Sequence, residues 1–120
     1  MALVLCLAAS LLPLAARASE RFQEKPYALI FGTVWDPDGH PIYGVKVKIR
    51  RTDGKGHWEV FSNHTGEFAQ RVPTGKADYA VTADVKGFKL QSGKHLQPGP
   101  AVTVHIDNDE RADVGLHLSW

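Results

Sequence analysis

Cysteine and helical periodicity are nearly absent from this chain of 120 residues. The single cysteine, Cys6, has no partner within the chain, so no intramolecular disulfide can form. No segment repeats apolar residues at the spacing of an amphipathic helix, which argues against a helical fold. This length has room for one domain, whose stability must come from packing and from hydrogen bonds between strands.

An excess of charge of one sign is also missing. Lys and Arg total 14 and Asp and Glu total 13, whereas a nucleic-acid-binding domain is typically strongly basic. We therefore expect no nucleic-acid partner. No serine lies in a Gly-x-Ser-x-Gly context, and no paired carboxylates are placed for acid–base work. The sequence predicts a protein that is not an enzyme, with no catalytic residue, no cofactor and no metal ligand.

Only one long apolar run is present, over residues 2–16. It is shorter than the roughly 20 residues that span a bilayer, and Ala16-Arg17-Ala18 has the small-x-small pattern that signal peptidase cleaves. We predict cleavage after Ala18 and a secreted or periplasmic mature chain without a transmembrane segment. The chain then divides into a signal peptide over 1–18, a flexible lead-in over 19–26 and a β-domain over 27–120.

The remaining sequence is rich in period-two alternation. From Val45 to Arg50, apolar residues alternate with basic ones, which is the pattern of a half-buried strand. Seven such runs, separated by turn residues, predict an all-β, seven-stranded antiparallel β-sandwich. The predicted strands lie near residues 28–35, 42–52, 57–62, 67–72, 79–85, 102–106 and 114–120.

Glycine and acidic residues in the first hairpin carry specific expectations. Gly32 within the first strand predicts a bulge or a close backbone approach. Asp36 and Asp38 can cap backbone N–H groups of a turn in which Gly39 takes a positive φ. The same acidic run resembles part of a calcium loop, but it lacks the EF-hand spacing. Turn capping is the leading interpretation, and a weak calcium site is the alternative.

The first hairpin also carries an ordered set of glycines and prolines, Gly32-Thr-Val-x-Asp36-x-x-Gly39-x-Pro41-Ile-x-Gly44-Val-x-Val47. This pattern resembles the start of a carboxypeptidase regulatory-like domain. The resemblance continues over the predicted domain through Thr65-Gly66-Glu-Phe68, Val72-Pro73-x-Gly75, Tyr79-x-Val81, Gly87-Phe88 and Val114-x-Leu116-x-Leu118. It implies a transthyretin-like (prealbumin-like) β-sandwich and an accessory module without catalytic residues of its own.

Two enzyme families resemble the same pattern and set the alternatives. Intradiol dioxygenases share the opening pattern and bind ferric iron through two Tyr and two His, but here Trp58 stands where an iron-binding Tyr would be expected. Hydroxyisourate hydrolases share the fold and end in Tyr-Arg-Gly-Ser, whereas this chain ends in Leu118-Ser119-Trp120. A reduced metal-dependent enzyme related to the dioxygenases remains the alternative from a different class.

Four residues are candidates for ligand binding: Trp35, Lys46, Lys48 and Arg50. Trp35 lies on the opposite face of its strand from the core residues, where an exposed indole can stack on a sugar or anchor a protein. The three cations form a stripe that could meet an anionic polysaccharide or a membrane surface, or could be a solvated face.

Two histidines, His105 and His117, fall on the outward faces of the last two strands and by parity could lie near each other. Two imidazoles are an incomplete zinc site, and two solvated strand positions are the leading interpretation.

The leading hypothesis is a secreted, monomeric, non-catalytic module with a structural or protein-binding accessory role at the cell surface or in the periplasm. Its partner would be an unknown protein or polysaccharide of the cell envelope. A carbohydrate-binding module that uses exposed aromatic residues is the alternative within binding functions.

Overall fold

Two β-sheets packed face to face make up the computed structural model, which describes residues 25–120. The three-stranded sheet has the order β4-β1-β7 and the four-stranded sheet has the order β3-β2-β5-β6. No helix in these residues is long and apolar enough to cross a membrane. The expected seven-stranded all-β sandwich is confirmed. Its strands are β1 (Tyr27–Trp35), β2 (Lys46–Arg51), β3 (His57–Phe61), β4 (Glu67–Pro73), β5 (Ala77–Asp84), β6 (Val102–Ile106) and β7 (Arg111–His117).

The predicted signal peptide over 1–18 and all but the end of the predicted lead-in over 19–26 lie outside the described residues. Lys25 and Pro26, where the description begins, are exposed and precede β1 without belonging to a strand. The cleavage site after Ala18 therefore stays a prediction.

One strand pair departs from the expected antiparallel arrangement. The pairs in the four-stranded sheet and the β1–β4 pair are antiparallel, whereas β1 and β7 are parallel. A parallel pair needs a long crossover connection, which is supplied here by the chain from β2 to β6. In this sheet, β1 is the central strand, and the first and last strands of the chain lie side by side.

Alternation along the strands fills one apolar core between the sheets. On β5, the residues expected to face the core do so, and Tyr79 is fully buried. On β2, Val47 and Ile49 are buried while Lys48 and Arg50 are exposed. The regular part of β2 begins at Lys46 rather than near residue 42, because the chain turns at Gly44, whose φ is +82°.

Gly32 lies at a point on β1 where atoms of both neighbouring strands leave no room for a side chain. It pairs with Phe68 on β4 and with Val114 on β7, and the register continues past it without a bulge. A Cβ at this position would lie 2.5 Å from the carbonyl oxygen of Val114 and closer still to Cζ of Phe68. The predicted close approach is confirmed, and only a residue without a side chain fits.

The first turn is capped as predicted. Oδ1 of Asp36 accepts hydrogen bonds from the N–H groups of Asp38 and His40, each at 2.9 Å. Gly39 has a φ of +84°, and its N–H donates to the Asp36 carbonyl at 3.1 Å. Burial alone would raise the pKa of Asp36, but the N–H groups of His40 and Asp38 hold the pKa below its usual value.

A buried serine that sequence reasoning did not single out joins the end of β3 to the segment before β2. The hydroxyl of Ser62 donates to the carbonyl of Ile42 at 2.7 Å and accepts from the N–H of Val45 at 2.9 Å. It satisfies two backbone groups that the turn at Gly44 removes from the regular ladder.

Candidate functional site

Strand β1 is largely apolar on both of its faces, although only one faces the core. Its outward residues alternate with the buried ones, and they include three aromatic rings and a leucine. A strand with one solvated face normally alternates apolar and polar residues, whereas an apolar run is typical of a strand covered on both sides. We call the outward side of the three-stranded sheet the aromatic face, defined by Tyr27, Leu29, Phe31, Trp35, Arg71, Arg111 and His117.

Two arginines from the neighbouring strands cover rings of the aromatic face. The guanidinium carbon of Arg71 lies 4.3 Å from the ring centroid of Tyr27, and that of Arg111 lies 4.2 Å from that of Phe31. Both distances are within the range of cation–π attraction. In the strand register, both arginines flank Leu29, one on each side. The two arginines therefore pack over the rings and remain exposed at the surface.

Trp35 closes the far end of the aromatic face. Its ring stacks on the imidazole of His117, with centroids 4.8 Å apart and an interplanar angle of 22°. The indole fits over β7 because Gly115 has no side chain: a Cβ there would lie 2.8 Å from Cζ3 of Trp35. Trp35 points away from the core, as the alternation predicts, and is half-buried. A shallow groove of about 370 Å³ lies beside it, with Phe31 and Arg111 on its wall.

The basic stripe lies on the other sheet, so the structure does not bring it together with Trp35. Nζ of Lys46 is 3.9 Å from Oε2 of Glu59, and Nζ of Lys48 is 3.2 Å from Oδ2 of Asp84. These cross-strand pairs neutralise two of the three cations. Arg50, by contrast, makes no ion pair with any residue in 25–120. The sequence pattern showed a row of three positive charges, but the cross-strand ion pairs leave only Arg50 without a counter-ion among the described residues.

A groove of about 380 Å³ runs along this outer face next to Arg50. We call it the polar groove, and it is lined by Lys48, Ile49, Arg50, His57, Trp58, Glu59, Ala80, Thr82 and Ala101. Trp58, at the position that the dioxygenase comparison singles out, is half-buried and tilts against Tyr79 with ring centroids 5.9 Å apart. Its indole is packed against the core.

The two strand histidines do not form a common site. His105 lies on the outer face of the four-stranded sheet and His117 on that of the three-stranded sheet, so the proximity that strand parity allowed does not occur. Nδ1 of His105 is 2.6 Å from Oδ1 of Asp78, and Nε2 is 2.8 Å from Oδ1 of Asp107. These two carboxylates raise the pKa of His105, first through the hydrogen bond to Asp78 and then through that to Asp107.

One group of metal-ligating side chains lies at the first turn. Asp36, Asp38 and His40 place one ligand atom each within 4.8 Å of one another. Calcium takes six to eight oxygens, and Oδ1 of Asp36 already accepts two hydrogen bonds. Capping explains this group, and the weak calcium site stays a prediction.

Several solved structures share the fold at low sequence identity. The Bacillus anthracis TIE protein is 11% identical with a TM-score of 0.58, and the match covers 79% of this chain and 17% of that one. 5-Hydroxyisourate hydrolase from Klebsiella pneumoniae is 17% identical with a TM-score of 0.54, and the match covers 75% of this chain and 90% of the hydrolase. BcpA, the major pilin subunit of Bacillus cereus, is 16% identical with a TM-score of 0.54, and the match covers 77% of this chain and 30% of the pilin.

These likenesses show the fold alone, and the chain spans only a small part of the first protein and of the pilin. No curated protein matches in sequence. The model of the carboxypeptidase regulatory-like domain, however, matches residues 30–117, which include β2 to β7 and most of β1. This match accounts for most of the chain and agrees with the two-sheet architecture. The chain therefore belongs to the carboxypeptidase regulatory-like domain family.

Proposed function

We propose that the chain is a non-catalytic accessory module that binds a protein partner through the aromatic face, at the cell surface or in the periplasm. The observation that carries this proposal is the apolar character of β1 on both faces. Protein interfaces are enriched in Tyr, Trp, Phe and Arg and depleted in Lys, Glu and Asp. The aromatic face has all four enriched residue types, and its three strands present no outward lysine, although Glu67 and Asp113 also lie on this side of the sheet.

The size of the aromatic face indicates what kind of contact it supports. Three strands about 4.8 Å apart and nine residues rising about 3.3 Å each span roughly 400 Å². A stable complex buries about 800 Å² on each partner. The face therefore fits a weak contact or one part of a larger interface. A self-sufficient dimer through this face is unfavourable, in agreement with the expected monomer.

Two further observations support the location and the accessory role. The apolar run over residues 2–16 and the pattern Ala16-Arg17-Ala18 favour export. A major pilin subunit is among the structural neighbours, which favours a role within an assembly rather than catalysis. The hydrolase among the same neighbours shares the fold at 17% identity, which carries no activity over to this chain.

Site-specific photo-cross-linking in the native cells tests the proposal. A photoreactive phenylalanine replaces Phe31 on the aromatic face or, as the matched control, Phe61, which is 60% exposed on the other sheet. We expect one dominant protein adduct from position 31 that is lost when Arg111→Glu reverses the charge beside it. Equal adducts from both positions, or none from position 31, would contradict the proposal.

A carbohydrate-binding role is the second candidate, favoured by the groove beside Trp35. There Nε of Arg111 donates to Asp113 at 2.9 Å, so a sugar stacked on the indole would find both a donor and an acceptor. A glycan array with wild type and Trp35→Ala decides the matter, with Phe61→Ala as the control. Equal signals from wild type and Trp35→Ala would remove Trp35 from binding.

A further inference from the structure

The outer face of the four-stranded sheet carries one cation that its neighbours leave without a counter-ion. Arg50 lies between His57 on β3 and Ala80 on β5, neither of which is acidic. Asp78, two residues from Ala80, is occupied by His105 at 2.6 Å. Across the described part of the chain, the other outward cations of β2 have carboxylate partners. A guanidinium group in this position can accept an external anion without breaking an internal pair.

The floor of the polar groove is low because its residues are small. Ala80 and Thr82 on β5, together with Ala101 just before β6, leave a trough beside the longer side chains of β2. Lys48 and Arg50 form one wall, since their side chains stand outward on that strand. The trough follows the sheet and is open to solvent, so an extended ligand can lie in it without a change of the backbone.

The groove offers hydrogen-bonding groups of both kinds. Arg50 presents a planar donor fork that matches a carboxylate bidentately. Glu59 is an acceptor, His57 has a ring nitrogen of each kind when neutral, and Thr82 has a hydroxyl. A ligand with both carboxylate and hydroxyl groups matches this set. An acidic peptide offers carboxylates but no run of hydroxyl groups for Glu59, His57 and Thr82. The groove also lacks an exposed aromatic anchor of the kind that protein partners use, because Trp58 is packed against the core.

We propose that the polar groove binds a carboxylate-bearing polysaccharide, with a uronate carboxylate on Arg50 and sugar hydroxyls on Glu59, His57 and Thr82. This site goes beyond the proposed protein-binding function, because it lies on the opposite sheet from the aromatic face. Together the two faces would let the module connect a protein to an acidic glycan.

Titration of the isotope-labelled protein with tetragalacturonate, followed by amide NMR shifts, tests this site. We expect saturable binding with shifts concentrated around Arg50, and no saturable shifts with neutral galactotetraose. Arg50→Gln should weaken binding at least about tenfold, and Arg50→Lys should also weaken it because an ammonium group cannot bind bidentately. The matched control is Lys76→Gln, which removes one charge in the turn between β4 and β5 and should leave binding unchanged.

A second variant blocks the site while keeping Arg50. Ala80→Glu places a carboxylate directly opposite Arg50 in the register, so it should abolish tetragalacturonate binding. Equal weakening by Arg50→Gln and Lys76→Gln would show general charge attraction and overturn the proposal. Absence of saturable binding, or tighter binding of a tetraglutamate peptide, would also overturn it. Trp35→Ala should leave this titration unchanged, which separates the outcome from that of the aromatic face.

Discussion

Replacement of Gly32 by alanine tests how closely β1 packs against its two neighbours, β4 and β7, within the three-stranded sheet. The added Cβ would lie 2.5 Å from the carbonyl oxygen of Val114 and 2.7 Å from its Cγ1, and closer still to the ring of Phe68. The ring can turn aside, but the carbonyl belongs to the β7 backbone and can move only with the strand. Overpacking of this kind costs about 1–3 kcal/mol, and the involvement of backbone favours the upper end.

The substitution also has a favourable part that reduces the net effect. Loss of glycine restricts the unfolded chain and contributes about 0.4–1 kcal/mol to stability. We therefore expect Gly32→Ala to lower the free energy of unfolding by about 2 kcal/mol. For a domain of this size, about 1 kcal/mol corresponds to 4–8 °C in Tm, so Tm should fall by roughly 8–16 °C.

Thermal and urea unfolding followed by circular dichroism measure the change. Thr33→Ala, at the next and outward-facing position, is the control and should leave Tm within a few degrees of wild type. Adding Phe68→Leu to Gly32→Ala removes the ring contact but not the carbonyl contact, so it should not restore Tm. An unchanged or raised Tm for Gly32→Ala would refute the close approach between β1 and β7.

The remaining predictions concern the turn, the buried serine, one histidine and metal content. Gly39→Val should lower the free energy of unfolding by about 1–2 kcal/mol in thermal melts, because the φ of +84° disfavours a branched residue. The added Cβ would meet nothing within 4 Å, so backbone strain is the only cost. No loss of stability would mean that the positive φ is not required. Ser62→Ala should cost about 1–3 kcal/mol by leaving two buried backbone groups unpaired, whereas the exposed Ser92→Ala should be neutral. The pKa of His105 is raised in the folded state, so protonated His105 stabilises the fold. This stabilisation is fully present below the pKa of the unfolded chain and is lost as pH rises through the folded-state pKa. NMR titration of Asp107→Asn should show a lower His105 pKa than wild type. An unchanged pKa would count against the hydrogen bond between His105 and Asp107. Protein purified without chelator should hold no stoichiometric iron or zinc in elemental analysis; a stoichiometric metal would favour the enzyme alternative.

Alternation was sufficient to predict the seven strands and their buried faces, because side-chain direction in a strand depends on sequence position alone. The bounds of the last strand were wrong, since β7 spans Arg111–His117 rather than residues 114–120. The direction of pairing is a tertiary property, so the parallel β1–β7 pair was missed. The start of β2 was placed too early, since the run from Ile42 looked continuous although Gly44 turns the chain there. Capping by Asp36 was predictable because its partners are within four residues.

The candidate sites were predicted less completely for the same reason. The outward position of Trp35 follows from parity within one strand, but Arg71 and Arg111 reach the neighbouring rings from strands distant in the sequence. Likewise, the basic stripe on β2 was visible, whereas its neutralisation by residues of β3 and β5 depends on register. Arg50 was one of three equivalent charges in the sequence and became distinct only in the folded sheet.

The parallel pairing of β1 and β7 also determines how the domain would carry a mechanical load. Tyr27 and His117 lie at opposite ends of the three-stranded sheet, since β1 begins where β7 begins and both run the same way. A pull on the two ends would load the β1–β7 hydrogen bonds in shear, with the bonds nearly perpendicular to the force and sharing it. Neighbouring segments would leave from opposite ends, about 30 Å apart. Such a module can be placed in series within a chain under tension and transmit force along its length.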